Sequence, residues 1–188
     1  MFERPSLSLL AVAVLLGAAA CDEPAQGPES AQATFTNRDI YGALRAIHAA
    51  EIEPAMLARE KATDPRVKAF AASVVADHEQ RMEKDDQLMR DLRVKAKENR
   101  VSTWIKGVSE RRLMRLASLT GSEFDRAYVE EQIRYHHSIL DTFDKDLTPN
   151  AHASSVKAGI AEARERETDH LKEAQELSVA LGPSEEAK

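Results

Sequence analysis

Four stretches of this chain repeat apolar residues at three- and four-residue spacing, and each interrupts its stripe with one ionisable residue: Glu51, His78, His136 and His170. A stripe of that period is the buried face of an amphipathic helix. An ionisable group placed in it loses its water, which is costly unless a partner group or a metal ion takes water's place. Four such positions predict one helical bundle whose interior gathers them into a shared polar site.

The bundle does not begin at residue 1. Ser6 to Ala20 is almost wholly apolar, too short to span a bilayer comfortably and patterned like the core of a signal peptide, so residues 1–20 are expected to be removed. Cleavage has two readings: an ordinary signal peptidase using the small residues Ala18 and Ala20, or lipidation of Cys21 as the first residue of a mature lipoprotein. Ala18-Ala19-Ala20-Cys21 resembles the bacterial lipobox, which prefers Leu where Ala18 stands, and the chain's one cysteine falls where that chemistry needs it. Asp22 resembles the signal that retains lipoproteins in the inner membrane of enteric bacteria, a rule that varies between groups and leaves inner against outer membrane open. From Cys21 to Thr36 the composition of Pro, Gly, Ala, Gln and Ser reads as a lipidated cysteine and flexible tether, and residues 182–188 read as a disordered tail. The expected location is outside the cytoplasm, anchored in a membrane and facing the periplasm.

A formal net charge of −6, with no basic block on one face, excludes a nucleic-acid partner. The partners expected are the membrane, through the anchor at Cys21, and another envelope protein. A single cysteine permits no disulfide within the chain, so packing or a ligand must supply stability.

Residues 37–181 form one all-α domain, predicted as an up-down-up-down four-helix bundle with a short extra helix between helices 2 and 3. Helix 1 runs from Asn37 to Ala62, with Pro54 expected to kink it near Glu51. Asp64 and Pro65 start helix 2 as cap and first-turn residue. Between Glu98 and Gly121 a short helix is expected, with Leu113, Leu116 and Leu119 covering one end of the bundle and Trp104 packed. Helix 3 extends from Ser122 to Leu147, and helix 4 from Asn150 or Ser154 to Leu181. Gly182-Pro183 ends it.

At 1.5 Å per residue, Glu51, His78 and His136 lie roughly 17–20 Å from one end of the bundle, level with one another. His170 is placed one or two turns lower, where it either joins through Glu167 or makes a second tier with Asp125, Tyr128 and Asp85. Two histidines and a carboxylate from separate helices make a first shell for one Fe(II), Zn or Cu ion, with Glu51, His78, His136 and His170 as candidate ligands and Asp77, Asp125 and Tyr128 supporting them. The alternative is a structural network in which the histidines are satisfied by neighbouring carboxylates or tyrosines. Asp125 has its own structural reading as a capping-box partner of Ser122. His48, His137 and His152 are expected to be solvated.

The ordered strings Glu51-Ile52, Leu57-Ala58, Val67-Lys68-Ala69-Phe70-Ala71, Asp77-His78, Gly121, Phe124-Asp125, Tyr128, His136 and His170-Leu171 resemble the bacterial domain of unknown function 4142. Pro54 and Glu167 depart from its usual pattern. The resemblance implies a ferritin-like helical bundle in exported or lipid-anchored proteins, and no established activity. Ferritin-like di-iron sites take Glu-x-x-His from two helices. This chain has one such pair, Glu167-x-x-His170, while Val75 and Ile133 stand three residues before His78 and His136, so a standard di-iron enzyme is rejected and any metal site is mononuclear or rearranged. Two functions stay open: a non-catalytic tethered envelope lipoprotein with a structural His/Glu network, and a metal-binding protein of metal homeostasis, sensing or redox.

Overall fold

The computed structural model describes residues 35–182; the signal segment, Cys21, the tether up to residue 34 and the tail beyond residue 182 lie outside the described residues. The domain is an all-α helical bundle of α1 (Asn37–Lys61), α2 (Pro65–Asp91), α3 (Arg100–Ala117), α4 (Gly121–Thr142) and α5 (Ser154–Leu181). A π-helical turn, Phe143–Leu147, and a 3-10 turn, Thr148–Asn150, lead from α4 toward α5.

Local chemistry sets the helix ends. Asp64 accepts a hydrogen bond from the Arg66 backbone N–H at 2.8 Å and Pro65 occupies the first helical position, as the sequence predicts. Asn99 caps α3 by accepting from the N–H groups of Val101 and Ser102. Gly121 and Gly182 adopt φ of 60° and 69°, left-handed values that cost a side chain energy.

The extra helix is not short. α3 has 18 residues because Val101, Ile105 and Leu116 give it an apolar stripe of its own, and it runs along α1 for most of the latter's length. At its start Asn99 Nδ2 donates to the Asp39 carbonyl at 2.8 Å, and at its end Lys61 Nζ donates to the Ala117 carbonyl at 2.7 Å. It therefore covers a flank of the bundle rather than one end. Because α3 returns the chain to the end where α1 finishes, direction alternates over five helices, and α2 and α4 run the same way. Asp125 near the start of α4 bonds the α1–α2 turn, and Arg66 near the start of α2 reaches the Ala180 carbonyl near the end of α5. Trp104, expected to pack, is 44% exposed.

Two apolar clusters make up the core. One contains Ile40, Leu44, Ile47, Ile139, Phe143 and Ile160. The other contains Val67, Phe70, Val74, Phe124, Val129 and Leu177. Between them every helix exchanges apolar for polar: His48 and Glu51 on α1, His78 and Asp85 on α2, Ser109 and Arg112 on α3, Gln132 and His136 on α4, Glu167 and His170 on α5, all buried.

The loop joining α2 to α3 crosses the first turns of α1 so closely that a Cβ on Gly42 would lie 1.9 Å from the Lys97 carbonyl oxygen. Lys97 N–H also donates to the Arg38 carbonyl at 2.8 Å, which pins the loop there. Gly42→Ala should destabilise the domain by about 2 kcal/mol or more, since backbone on both sides must move. Urea unfolding checks this, and a loss below about 0.5 kcal/mol would mean the crossing is not tight.

Candidate functional site

α1 carries a proline in its middle. Pro54 has no N–H, so the Ala50 carbonyl four residues earlier lacks its helical donor. Arg112 supplies one: its Nη1 donates to the Ala50 oxygen at 2.9 Å and lies 3.4 Å from Glu51 Oε1. The guanidinium stacks 4.0 Å from the centre of the Tyr135 ring. Glu51 has no exposed surface and Arg112 only 4%, so this is a buried ion pair placed where the helix backbone needs a donor.

The histidines lie beside this pair. Ring centres are 5.3 Å apart for His48 and His78, 5.3 Å for His78 and His170, and 5.6 Å for His136 and His170. His170 thus belongs to the same layer, not to a lower tier. His48, expected in solvent, is buried: its Nδ1 is 3.0 Å from His78 Nδ1 and its Nε2 3.1 Å from Asp85 Oδ2. Asp77 Oδ2 lies 3.0 Å from His170 Nε2. Glu167 Oε2 is 2.8 Å from His136 Nδ1, and its Oε1 is 3.9 Å from His78 Nε2. His137 and His152 are exposed, as expected.

Glu51 faces Arg112 while Glu167 holds the carboxylate position among the histidines. Asp125 is remote from the layer. Its carboxylate accepts from Thr63 N–H at 3.0 Å and Asp64 N–H at 2.8 Å, latching α4 to the α1–α2 turn instead of boxing with Ser122. Tyr128 belongs to the apolar cluster, parallel to Phe124 with ring centres 6.4 Å apart. Among the described residues no three His, Cys, Asp or Glu side chains are already gathered to hold an ion. Several buried atoms of the layer bond nothing else in the protein, among them Glu51 Oε2, both amide atoms of Gln132, His78 Nε2, His136 Nε2 and His170 Nδ1.

Burial dominates the proton affinities. It holds His78 well below 6.5, with the fields of His48, His170 and His136 acting the same way, and it brings His136 down to about 4. It also raises Glu167 to about 7, against the pull of His170, His48 and Arg112. The phenols of Tyr128 and Tyr135 are pushed up by burial and by the Glu51 charge.

A helical bundle cut across by a sealed layer of histidines and carboxylates is the class of protein this fold and site define. Residues 22–177 match the family described as "Domain of unknown function (DUF4142)", and the chain belongs to that family. No curated protein matches it. Among solved structures, that of a DUF305 protein from Streptomyces coelicolor superposes with a TM-score of 0.65 over 81% of this chain and 98% of that one, at 12% identity. At that identity the likeness concerns the fold alone.

Arg112→Leu strands the Glu51 carboxylate and should cost about 3–5 kcal/mol, with much of that recovered in Arg112→Leu/Glu51→Leu. In a Pro54→Ala background the helix supplies its own donor to Ala50, so Arg112→Leu should cost less there, a difference that a double-mutant cycle measures. A second expectation concerns pH. Below 6.5 the unfolded chain protonates His78 and His136 while the native state keeps them neutral, and between 4.5 and about 7 native Glu167 keeps a proton that the unfolded chain releases. Two histidines against one carboxylate leave the unfolded state about one proton richer from pH 4.5 to 6.5. Stability should rise across that window by up to about 1.4 kcal/mol per pH unit and level off above it. Urea melts at stepped pH check the sign.

Proposed function

We propose that the chain is an exported lipoprotein, anchored through Cys21, that displays a non-catalytic helical domain in the cell envelope and engages an envelope protein there. The apolar run before Cys21 and the family match beginning at residue 22, next to that cysteine, support the anchor. Among the described residues no helix is long and apolar enough to cross a membrane, so attachment falls to the amino-terminal segment. The Streptomyces protein of like fold carries the name of a secreted protein.

The observation that carries the non-catalytic reading is closure. Glu51, Gln132 and His136 have no exposed surface, and His48, Asp85, Glu167 and His170 keep 1%. A substrate of ordinary size cannot touch these groups unless the helices part, whereas catalytic sites lie in clefts that admit their substrate.

Two measurements test this reading. Cys21→Ser should abolish incorporation of radiolabelled palmitate and move the protein from the detergent phase to the aqueous phase; a variant that still partitions into detergent rules out this anchor. Diethylpyrocarbonate applied to the folded protein should modify His137 and His152 and spare His48, His78, His136 and His170. Rapid modification of the four would mean that small molecules enter the layer, and the non-catalytic reading would fall.

A further inference from the structure

Three buried ring nitrogens, His78 Nε2, His136 Nε2 and His170 Nδ1, have no hydrogen-bond partner in the protein, and two of them, His78 Nε2 and His170 Nδ1, belong to rings backed by Asp85, through His48, and by Asp77. The groups behind each ring decide what those nitrogens carry. Asp77 Oδ2 accepts from His170 Nε2 at 3.0 Å, so the hydrogen sits on Nε2 and Nδ1 holds a lone pair. Behind His78 the relay is longer. With both imidazoles neutral, Asp85 Oδ2 accepts from His48 Nε2 at 3.1 Å, His48 Nδ1 is left as an acceptor, and His78 Nδ1 donates to it at 3.0 Å. His78 Nε2 is therefore also a lone pair. An unmet buried acceptor is costly, and a carboxylate backing an imidazole is how proteins orient histidines toward a metal.

The spacing agrees. Two imidazoles bound to one ion at about 2.0–2.1 Å have ring centres roughly 5 Å apart; those of His78 and His170 are 5.3 Å apart. Glu167 lies one turn before His170 on α5. Its Oε1 is 3.9 Å from His78 Nε2, too far for a hydrogen bond but near the roughly 3–4 Å that separates two donors on one ion. His136 Nδ1 holds its other oxygen from behind at 2.8 Å.

We propose that His78 Nε2, His170 Nδ1 and Glu167 Oε1 form a binding site for one first-row transition-metal dication, oriented by Asp77 and by Asp85 through His48. The two lone pairs are preset, whereas among the described residues the three donors are not gathered, so Glu167 Oε1 has to turn in as the ion enters. Two imidazoles and a carboxylate suit Zn(II), Fe(II) or Cu(II). Glu51 takes no part, since its partner is Arg112. The site does not depend on the lipid anchor.

The test uses the full-length chain, purified in detergent, stripped with a chelator and titrated with Co(II), whose visible absorption reports coordination, with Zn(II) as competitor. One equivalent should bind, with intense visible bands and a raised melting temperature. His78→Gln and His170→Gln should lose the bands, and Asp77→Asn should bind about 10–100-fold more weakly. Glu51→Gln and the double variant His137→Gln/His152→Gln should keep wild-type affinity. The proposal is overturned if the folded wild type takes up no ion, if binding survives His170→Gln, or if it is lost in a Glu51→Gln variant that still folds or in the double variant of the two exposed histidines. Asp77 is partly exposed, so Asp77→Asn will fold even where a core variant does not, and unchanged affinity in that variant is equally fatal.

Discussion

Because proline at position 54 cannot donate to the carbonyl four residues before it, α1 carries an open acceptor inside the bundle, and the arrangement around it follows from meeting that need. Ala50 is buried, so a side chain from another helix meets its carbonyl, and Arg112 on α3 does so. A guanidinium brought there for its hydrogen bond also brings a charge. Glu51, one residue after Ala50, neutralises it and the Tyr135 ring covers its face. The proline, the acid and the arginine are thus one device, and the acid on the apolar stripe follows from the proline three residues later.

The same device explains why the core is divided. Once Glu51 and Arg112 occupy the middle of the bundle, neighbouring positions on α2, α4 and α5 face charge rather than hydrocarbon, and imidazoles and carboxylates tolerate that better than leucine. The resulting layer separates two apolar clusters and makes helix register discrete. A slip of one turn, about 5.4 Å, would set a histidine against Ile or Val and strand its partner.

Much of this was legible in the sequence. Helical period alone located Glu51, His78, His136 and His170, and the cap signal at Asp64 and Pro65 placed the start of α2. His48 was missed because the stripe on α1 was drawn too narrow. Covered by α2 on one side and α3 on another, α1 is buried over most of its circumference, and His48, four residues after Leu44 and three before Glu51, falls on that wide face. Arg112 lay in plain view, three residues after Ser109 and four before Leu116, but a helix read as short invited no stripe. The height of His170 went wrong for geometric reasons. Counted forward from Asn150 or Ser154, behind a π turn, it comes out too low, whereas counted back from the end of α5, which Arg66 ties to the start of α2, it comes level. Which carboxylate serves the histidines was beyond reach, because it depends on the bundle's rotation about each helix.

The ion pair at the centre also imposes an order on assembly. Glu51 and Arg112 are 61 residues apart, and no other side chain forms an ion pair with Glu51 within the described residues. As the chain folds, α1 and α2 can lie against each other, yet the acid at their centre stays unmatched until all of α3 has followed and turned back. The amino-terminal hairpin is therefore an incomplete object by itself, left with an unmatched buried charge. The pair itself is met once α3 has packed, and the polar layer is complete only when α4 and α5 have joined it.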